Sequence, residues 1–410
     1  MTSEWKEYKL KDVCIKITDG SHYSPKATEL GYPMLSVKDM QEFGFSYTNC
    51  KYITEQDFVK MQQNDCVPLE NDILVAKDGS YLKHIFICKK NKQEAILSSI
   101  ALFRPNTKII NPNFLCYLLK SPNIYNYIKL NCVSGSALPR IILKDFKNIT
   151  IGIPPLETQQ KIAKVLSAID DKIELNNSIN NNLEKQAQAI FKSWFVNFEP
   201  FGGTMPDDWK VVDLGDICNI SAGGDKPSKF SVIQTQEFQI PIYSNGINNE
   251  GLYGYTNYAK INNESVTISA RGTIGYTCLR LNPFFPIVRL ICIEPKNRLF
   301  SAKYLYQAIK RMDIVGFGTT QQQITVPYCK TLKILLPSKE YLYKYANRVD
   351  RLYKEIFENK NENIKLILLR DTLLPKLMSG EIDVSKVEID NILENQSSDK
   401  LLFSEDINND

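Results

Sequence analysis

The feature that most constrains the fold is a heptad repeat that occurs twice. Between Pro154 and Trp194, apolar residues recur every seven positions in two columns, as they do at the a and d positions of a coiled coil. An asparagine interrupts the middle of each column. The stretch from Pro337 to Leu377 repeats the pattern 183 positions later, asparagines included. The sequence therefore predicts two long helices with matching apolar seams in an internally duplicated chain.

The asparagines at the centre of each seam predict a polar layer in the coil. A buried asparagine destabilises a coiled coil, and its best-attested use is to fix register and orientation. We expect that role here; the alternative is that solvent-facing asparagines interrupt a weak seam. The four residues are Asn176 and Asn180 in the first helix and Asn359 and Asn363 in the second.

The other seam positions are apolar, except near the end of the second helix. Arg370 occupies a d position there and is expected to face a partner or the edge of the coil. Pro375 is expected to end or kink this helix, since proline removes a helical hydrogen bond, and this puts the layer at Leu377 in doubt. The columns continue with Ile162, Ile169, Leu183, Ile190, Leu166, Ile173, Ala187 and Trp194 in the first helix, and with Tyr345, Leu352, Leu366, Leu373, Val349 and Ile356 in the second.

The regions outside the helices are also duplicated, most clearly at their ends. The residues from Trp5 to Cys14 match those from Trp209 to Cys218, and Gly135 and Ile141 match Gly318 and Ile324. The middles differ in sequence, and the first is longer by 21 residues. Both regions alternate short buried-strand patterns with short helical patterns, which predicts an α+β fold.

These patterns divide the chain into two globular heads and two spacer helices. The order head, helix, head, helix favours an antiparallel intramolecular coiled coil, because each connection is then short and a pseudo-twofold axis relates the halves. The predicted ranges are 1–153 for the first head, 154–200 for the central helix, 201–336 for the second head, 337–380 for the C-terminal helix and 381–410 for an acidic tail expected to be disordered.

Composition limits the class of protein. Hydrophobic residues make up 43% and charged residues 23%, as in soluble globular proteins. The polar N-terminus predicts no signal peptide, and no stretch reaches the ~18 apolar residues of a membrane span. We therefore expect a cytoplasmic protein. The tail holds nine acidic residues, so the excess of positive charge lies in residues 1–380 and is compatible with a polyanionic partner, although solubility alone would also explain it.

The sequence lacks the motifs of the common catalytic sites. Ten cysteines without a CxxC pair and only two histidines argue against zinc and against a disulfide scaffold. No dinucleotide-binding glycine motif, phosphate-binding loop or HExxH motif occurs. The stretches Asn111–Phe114 and Asn282–Phe285 resemble the NPPF-type motif of adenine methyltransferases, but each lacks the second proline. We therefore expect no catalytic residue, no metal and no cofactor.

Several stretches resemble the specificity subunits of type I restriction-modification systems. They are the first heptad region, the segment LRDTLLPKLMSGEID (Leu369–Asp383), and the segments IPIYSNGINNEGLYGYT and ISARGTIGY of the second head. The likeness covers nearly all of residues 1–382. It implies that each head is a target recognition domain reading half of a bipartite double-stranded DNA site. It also implies that the helices set the spacer length and bind two methyltransferase subunits, and that restriction (endonuclease and translocase) subunits join this complex.

Residues that could contact DNA are those with hydrogen-bonding side chains on loops after predicted strands. A structural or solvent-facing role is an equally open interpretation for each of them. In the first head the candidates are Ser36, Lys38, Lys77, Ser80, Ser134, Ser136 and Arg140. In the second head they are Ser244, Asn245, Arg271, Thr273, Thr320, Gln321 and Gln322.

Two functional hypotheses follow. The first is a non-catalytic DNA-reading subunit of a methylation and restriction complex, acting in DNA methylation and phage defence. The second is a coiled-coil scaffold whose heads bind protein or another ligand, or a recognition subunit of a different phage-defence complex. A methyltransferase gene beside this one would favour the first hypothesis, and its absence would favour the second.

Overall fold

The computed structural model describes residues 5–79, 81–135, 139–297, 300–318 and 322–384. The predicted contacts Ser80, Ser136, Thr320 and Gln321, and most of the acidic tail, lie outside these ranges. The chain divides into two compact units: unit 1 comprises residues 1–175 and 363–410, and unit 2 comprises residues 176–362. The predicted division into heads, helices and tail remains a prediction.

The globular part of unit 1 combines short strands with short helices. Its strands are β1 (Lys6–Lys9), β2 (Cys14–Asp19), β3 (Tyr32–Leu35), β4 (Lys51–Ile53), β5 (Ile73–Ala76), β6 (Ile85–Ile87), β7 (Ala95–Ile96), β8 (Ile100–Pro105), β9 (Val133–Ser134), β10 (Arg140–Ile141) and β11 (Thr150–Ile153). Its helices are α1 (Leu10–Val13), α2 (Glu55–Gln63), α3 (Pro112–Lys120), α4 (Pro122–Asn131) and α5 (Leu143–Lys147).

The sheets of unit 1 place β5 at the centre of the fold. Among the described residues, one sheet has the order β2-β8-β5-β6 and a second the order β4-β3-β7, while β1 pairs with β11 and β9 with β10. Every residue of β5 is buried, as expected for a strand covered on both faces. Helix α3 packs on this core through Phe114, whose full burial contributes about 1.5–3 kcal/mol. The side chain of Asn111 caps the helix by accepting a hydrogen bond from Phe114 N.

The globular part of unit 2 also combines short strands with short helices. Its strands are β12 (Lys210–Asp213), β13 (Cys218–Ala222), β14 (Ile240–Tyr243), β15 (Leu252–Thr256), β16 (Ser265–Ile268), β17 (Thr277–Arg280), β18 (Phe285–Pro286), β19 (Ile291–Pro295) and β20 (Lys333–Leu336). Its short helices are α7 (Leu214–Ile217), α8 (Ala302–Lys310) and α9 (Val326–Lys330). These labels follow the long helix α6 (Leu156–Phe195) and precede the long helix α10 (Lys339–Met378).

The strand order of unit 2 repeats that of unit 1. Its sheets have the orders β13-β19-β16-β17 and β15-β14-β18, and β12 pairs with β20. The middles of the two heads, which differ in sequence, therefore share one topology. Two helices of the first head, α2 with 9 residues and α4 with 10, have no counterpart in the described part of unit 2. The predicted α+β class and the internal repeat are confirmed.

The two long helices match each other in length and position. Both α6 and α10 have 40 residues, and their ends are separated by the same 183 positions as the heptads. The expectation that Pro375 ends the second helix, which left Leu377 doubtful, is wrong. Helix α10 continues to Met378, and Leu377 is buried in the core of unit 1. Pro375 itself is exposed, so water can bond the carbonyl that it leaves without a donor.

The helices run antiparallel within each unit. In unit 1, Asp170 pairs with Arg370, while Leu166, nearer the start of α6, shares a core cluster with Leu374, nearer the end of α10. In unit 2, the successive partners of Asn176, Asn180 and Phe191 are Glu362, Asn359 and Tyr345. Partner numbers fall as α6 advances, which establishes the antiparallel direction in both units.

The seam departs from the heptad columns at the end of α6. Ala187 is the last buried residue of the predicted columns; beyond it Phe191 and Phe195 are buried, while Ile190 and Trp194 are only partly buried. A straight helix with 3.6 residues per turn drifts against a strict seven-residue repeat, so the apolar face moves by one position. Phe191 and Phe195 pack against Tyr304 and Tyr345 in the core of unit 2. These aromatic residues therefore serve internal packing.

Candidate nucleic-acid interface

Both heads carry a tight turn directly after their central strand. In the first head, β5 leads into Lys77, Asp78 and Gly79; in the second, β16 leads through Ser269 into Ala270, Arg271 and Gly272. Gly79 and Gly272 have φ angles of 67° and 69°, in the left-handed region that favours glycine. The carbonyl of Lys77 accepts a hydrogen bond from Ile141 N at 3.0 Å, and the carbonyl of Ala270 accepts one from Ile324 N at 3.1 Å. The turns are therefore equivalent in the two heads.

In the first head, a short ribbon lies beside this turn. Ser134 on β9 and Arg140 on β10 face each other across the ribbon, and both are exposed. Arg140 also forms a backbone bridge with Asp78, and Gly79 N donates to the carbonyl of Pro139 at 2.9 Å. The structure thus brings Ser134 and Arg140 next to the turn after β5.

The segment after β3 joins the same surface. Ser36 donates to Asp39 Oδ2 through both its backbone N and its hydroxyl, each at 2.8 Å, so the hydroxyl closes a local turn. Val37 N donates to Ser99 Oγ at 3.1 Å, and the carbonyl of Ser99 accepts from Lys77 N at 2.9 Å. Lys38 is exposed at the tip. We call the exposed residues Lys38, Ser134 and Arg140 the first loop surface.

Lys77 lies at this surface but is not exposed. Its ammonium group is 2.7 Å from Asp19 Oδ2, and the lysine is 7% exposed. A buried ammonium group requires a paired acid, because an unpaired one would be strongly destabilising. The structure therefore gives Lys77 a role in connecting β2 to β5.

In the second head, a single bridge takes the position of the ribbon. Phe317 forms a bridge with Gln323, at the positions that match Ser134 and Arg140. Arg271 Nε and Nη2 donate to Gln323 Oε1 at 3.1 and 2.9 Å. Thr273 and Gln322 are exposed beside this pair. Arg271, Thr273 and Gln322, three of the predicted contacts, are therefore brought together.

Asn245 has a structural role in the second head. Its Oδ1 accepts a hydrogen bond from Ala270 N at 2.7 Å, and its Nδ2 donates to the carbonyl of Val288. This amide connects three loops through both of its polar ends, which leaves little capacity to read a base. Ser244 is half-buried, and its hydroxyl contacts only its neighbour's carbonyl among the described residues.

The structure adds a surface residue that the sequence analysis missed. Val288 and Arg289 both have positive φ, 53° and 59°, and both are exposed. A left-handed valine is strained, and hydrogen bonds from Val288 N and Arg289 N to the carbonyls of Gly224 and Gly223, both at 2.8 Å, hold the turn. The signal in the sequence is a single cation inside the apolar run FFPIVRLICI. We call Arg271, Thr273, Arg289 and Gln322 the second loop surface.

The close approach of this turn depends on a glycine. A Cβ added to Gly223 would lie 2.7 Å from Ile287 N, and one added to Gly20 in the first head would lie 2.2 Å from the carbonyl oxygen of Ile96. Both glycines thus let the loop after the first sheet strand approach the end of β7 or β18. The loops of each head consequently form one continuous surface.

The exposed groups of the two loop surfaces have the chemistry that contacts a polyanion. Arginine, lysine, glutamine and hydroxyl groups donate hydrogen bonds to phosphates and base edges. Within the described ranges, no group of three or more His, Cys, Asp or Glu residues could hold a metal ion. No described helix is long and apolar enough to cross a membrane.

All ten cysteines lie in the described part and are free thiols, seven of them buried.

Comparison with known protein families gives a match over both halves of the chain. The profile of the type I restriction modification DNA specificity domain matches residues 2–185 and 206–366. Each matched region contains one head and part of a long helix. The duplication found in the sequence is therefore a duplication of this domain.

Individual relatives are similar over most of the chain. The specificity subunit of the type I restriction enzyme HindI from Haemophilus influenzae is 25% identical, covering 93% of this chain and all of its own length. The MjaIX specificity subunit from Methanocaldococcus jannaschii is 28% identical, covering 94% of this chain and 95% of its own. The crystal structure of a type I restriction-modification S subunit from M. genitalium has the same fold, with a TM-score of 0.59 at 19% identity over 92% of this chain and 96% of that one.

Proposed function

The chain belongs to the type I restriction-modification DNA specificity family, and from this premise we propose that its two heads read the two halves of a split DNA site. The family supports the DNA-recognition role of the whole subunit. The finer proposal is that the first loop surface contacts one half-site and the second loop surface the other. Most hydrogen bonds to DNA come from groups of the kinds that these surfaces expose.

One observation carries this proposal: the heads share a topology, but their loops differ in chemistry. The bridge beside the central turn joins Asp78 to Arg140 in the first head, whereas in the second head Arg271 bonds Gln323. The arginine thus lies on the ribbon side of this contact in the first head (Arg140) and on the turn side in the second head (Arg271). Equal frames with unequal loops are suited to reading two different half-sites at a fixed separation, since the frame positions the loops and the loops select the bases.

We also infer that methyltransferase and restriction subunits supply the catalysis. Two relatives are named as specificity subunits of type I restriction enzymes, and this name supports a division of labour with catalytic subunits. In unit 1, Leu175 on α6 and Ile364, Leu368 and Leu369 on α10 are exposed apolar residues. Exposed apolar residues on long helices support a protein-binding role for these helices.

The proposal is tested by changing the length of the DNA spacer. The chain and its methyltransferase would be bound to a duplex with the split site, identified by methylome sequencing, and to duplexes with one base pair added to or removed from the spacer. We expect an affinity loss of about tenfold or more for both altered spacers, because one half-site then rotates away from its head. A base change at the centre of the spacer serves as the matched control. Equal affinity for all spacer lengths would contradict the proposal.

A further inference from the structure

The two halves of the helical pair carry different chemistry at equivalent positions. In unit 1, Arg370 Nη1 lies 2.8 Å from Asp170 Oδ1, and the two side chains are 15% and 9% exposed. The residues at the matching positions, 183 places away in each helix, are Tyr353 for Asp170 and Ala187 for Arg370. Ala187 and Tyr353 are both buried in the same cluster of unit 2. An ion pair in one unit thus corresponds to a small and a large side chain in the other.

The bond between Asn180 and Asn359 in the asparagine layer does not by itself distinguish between possible helix partners. Asn359 donates to Asn180 at 2.9 Å, and Asn359 is the counterpart of Asn176. If α6 paired antiparallel with the α6 of a second copy, Asn180 would therefore meet Asn176 of that copy, and a similar bond could form. This bond can form in either arrangement, so other contacts must select the partner.

We propose that the Asp170–Arg370 pair, together with Ala187 and Tyr353, directs α6 to pair with α10 rather than with the α6 of a second copy. In an α6–α6 pair, Asp170 would face Ala187, which offers neither a charge nor volume. In an α10–α10 pair, Arg370 would face Tyr353, where two long side chains compete for one space. In each alternative pairing, a charged side chain loses its partner and the volumes of the facing side chains do not match. Such unfavourable contacts in the alternatives create specificity.

The surroundings of the pair make the charge mismatch costly. Asp170 also accepts a hydrogen bond from the Tyr117 hydroxyl at 2.8 Å, and Lys120 Nζ is 3.9 Å away. In an α6–α6 pair these two groups remain, but the closest cation is lost. Removing one partner of a buried ion pair is strongly destabilising, whereas replacing both by apolar residues is often neutral. The pair therefore contributes more to the choice of partner than to stability.

The test separates stability from partner choice in the full-length chain. The variant D170L/R370L removes both charges, R370L removes only the cation, and D170N/R370Q is a nearly isosteric variant that keeps hydrogen-bonding groups. The matched control is E340Q/K344Q, which removes an exposed ion pair of α10 with an Nζ to Oε1 distance of 2.6 Å. Isotopically light and heavy copies are mixed, unfolded in urea, refolded and cross-linked, and mass spectrometry counts light-to-heavy links between two α6 helices.

We expect D170L/R370L to form about tenfold more α6–α6 links than the wild type. Its unfolding midpoint should fall less than that of R370L, because Tyr117 loses its acceptor but no unpaired carboxylate is left between the helices. R370L should lower the midpoint, because Asp170 loses its closest cation. D170N/R370Q should also increase the number of α6–α6 links. If D170L/R370L does not refold, D170N/R370Q alone tests the proposal. Wild-type levels of these links in D170N/R370Q and in any refolded D170L/R370L would overturn the proposal. An equal increase in the control would overturn it as well. Neither result depends on DNA binding.

Discussion

Arg271 donates two hydrogen bonds to one oxygen, Gln323 Oε1, at 3.1 Å from Nε and 2.9 Å from Nη2. This fork fixes the plane of the guanidinium beside the left-handed turn at Gly272. The remaining N–H groups are available for a guanine edge or a phosphate. In the first head, Arg140 approaches the equivalent turn from the ribbon side. Each loop surface therefore has an arginine held at the same structural feature, in a different orientation.

Replacing either arginine should affect one half-site only. We expect R271A to weaken DNA binding by about 1–3 kcal/mol and to relax base selection in one half-site, and R140A to do so in the other, since each would remove a base or phosphate contact. The measurement is the affinity of the complex with methyltransferase for duplexes that carry single base changes in each half. The exposed Arg348 on α10 provides the control R348A, which removes the same charge. Relaxation of the same half-site by R271A and R140A would contradict independent reading.

Asn245 should behave as a structural residue rather than as a base contact. In N245D, the carboxylate can still accept from Ala270 N but cannot donate to the carbonyl of Val288. We expect a loss of about 1 kcal/mol in the free energy of unfolding, measured with urea, because the carbonyl of Val288 loses its donor and then faces a negative charge. The order of preference among altered half-sites should stay as in the wild type. The exposed Asn262 provides the control N262D, which should change stability by less than about 0.5 kcal/mol.

The sequence predicted the helices well because their pattern repeats at two levels. Heptads specify a helix locally, and the repeat after 183 residues shows that the pattern is not accidental. The predicted seam was wrong at the end of α6, where side-chain size and helical pitch bury Phe191 and Phe195 instead. The predicted end of α10 was wrong because the helix tolerates an exposed proline, Pro375. Arg370, an anomaly in the heptads, is explained by Asp170, a residue 200 positions away.

The candidate contacts were harder to predict, because hydrogen-bonding residues serve folding as well as recognition. Lys77 has a side chain that could bind DNA, but its ammonium group is paired with Asp19, 58 positions earlier in the sequence. Arg289 escaped notice because its neighbours are apolar and its exposure depends on a left-handed turn. Local patterns identify the loops; only the fold decides which side chains remain available on them.

Replacing Pro375 by alanine should stabilise the protein. Proline inside a helix cannot donate to the carbonyl four residues earlier, at Asp371, and its ring strains that turn. Because position 375 is exposed, alanine introduces no clash there. We expect P375A to raise the free energy of unfolding by about 2 kcal/mol and to raise the Tm. The neighbouring exposed residue gives the control K376A, for which a change below about 0.5 kcal/mol is expected. An unchanged or lower Tm in P375A would contradict the expectation that the proline destabilises this turn of α10.

Glu250 should make the second head sensitive to acid. Burial tends to raise the pKa of this carboxyl, but Lys360 on α10 and Arg280 on β17 outweigh it and hold the pKa below its usual value of 4.5. A carboxylate whose pKa is lowered by folding contributes stability above its unfolded pKa, and this contribution is lost as the pH falls through the folded pKa. We therefore expect E250Q to lower stability at neutral pH and to reduce the loss of stability below about pH 4.5. Urea midpoints measured from pH 3 to pH 7 test this, with the exposed E340Q on α10 as the control. If E250Q and the wild type lose stability in parallel below that pH, the Glu250 carboxylate has no net role in holding the second head on α10.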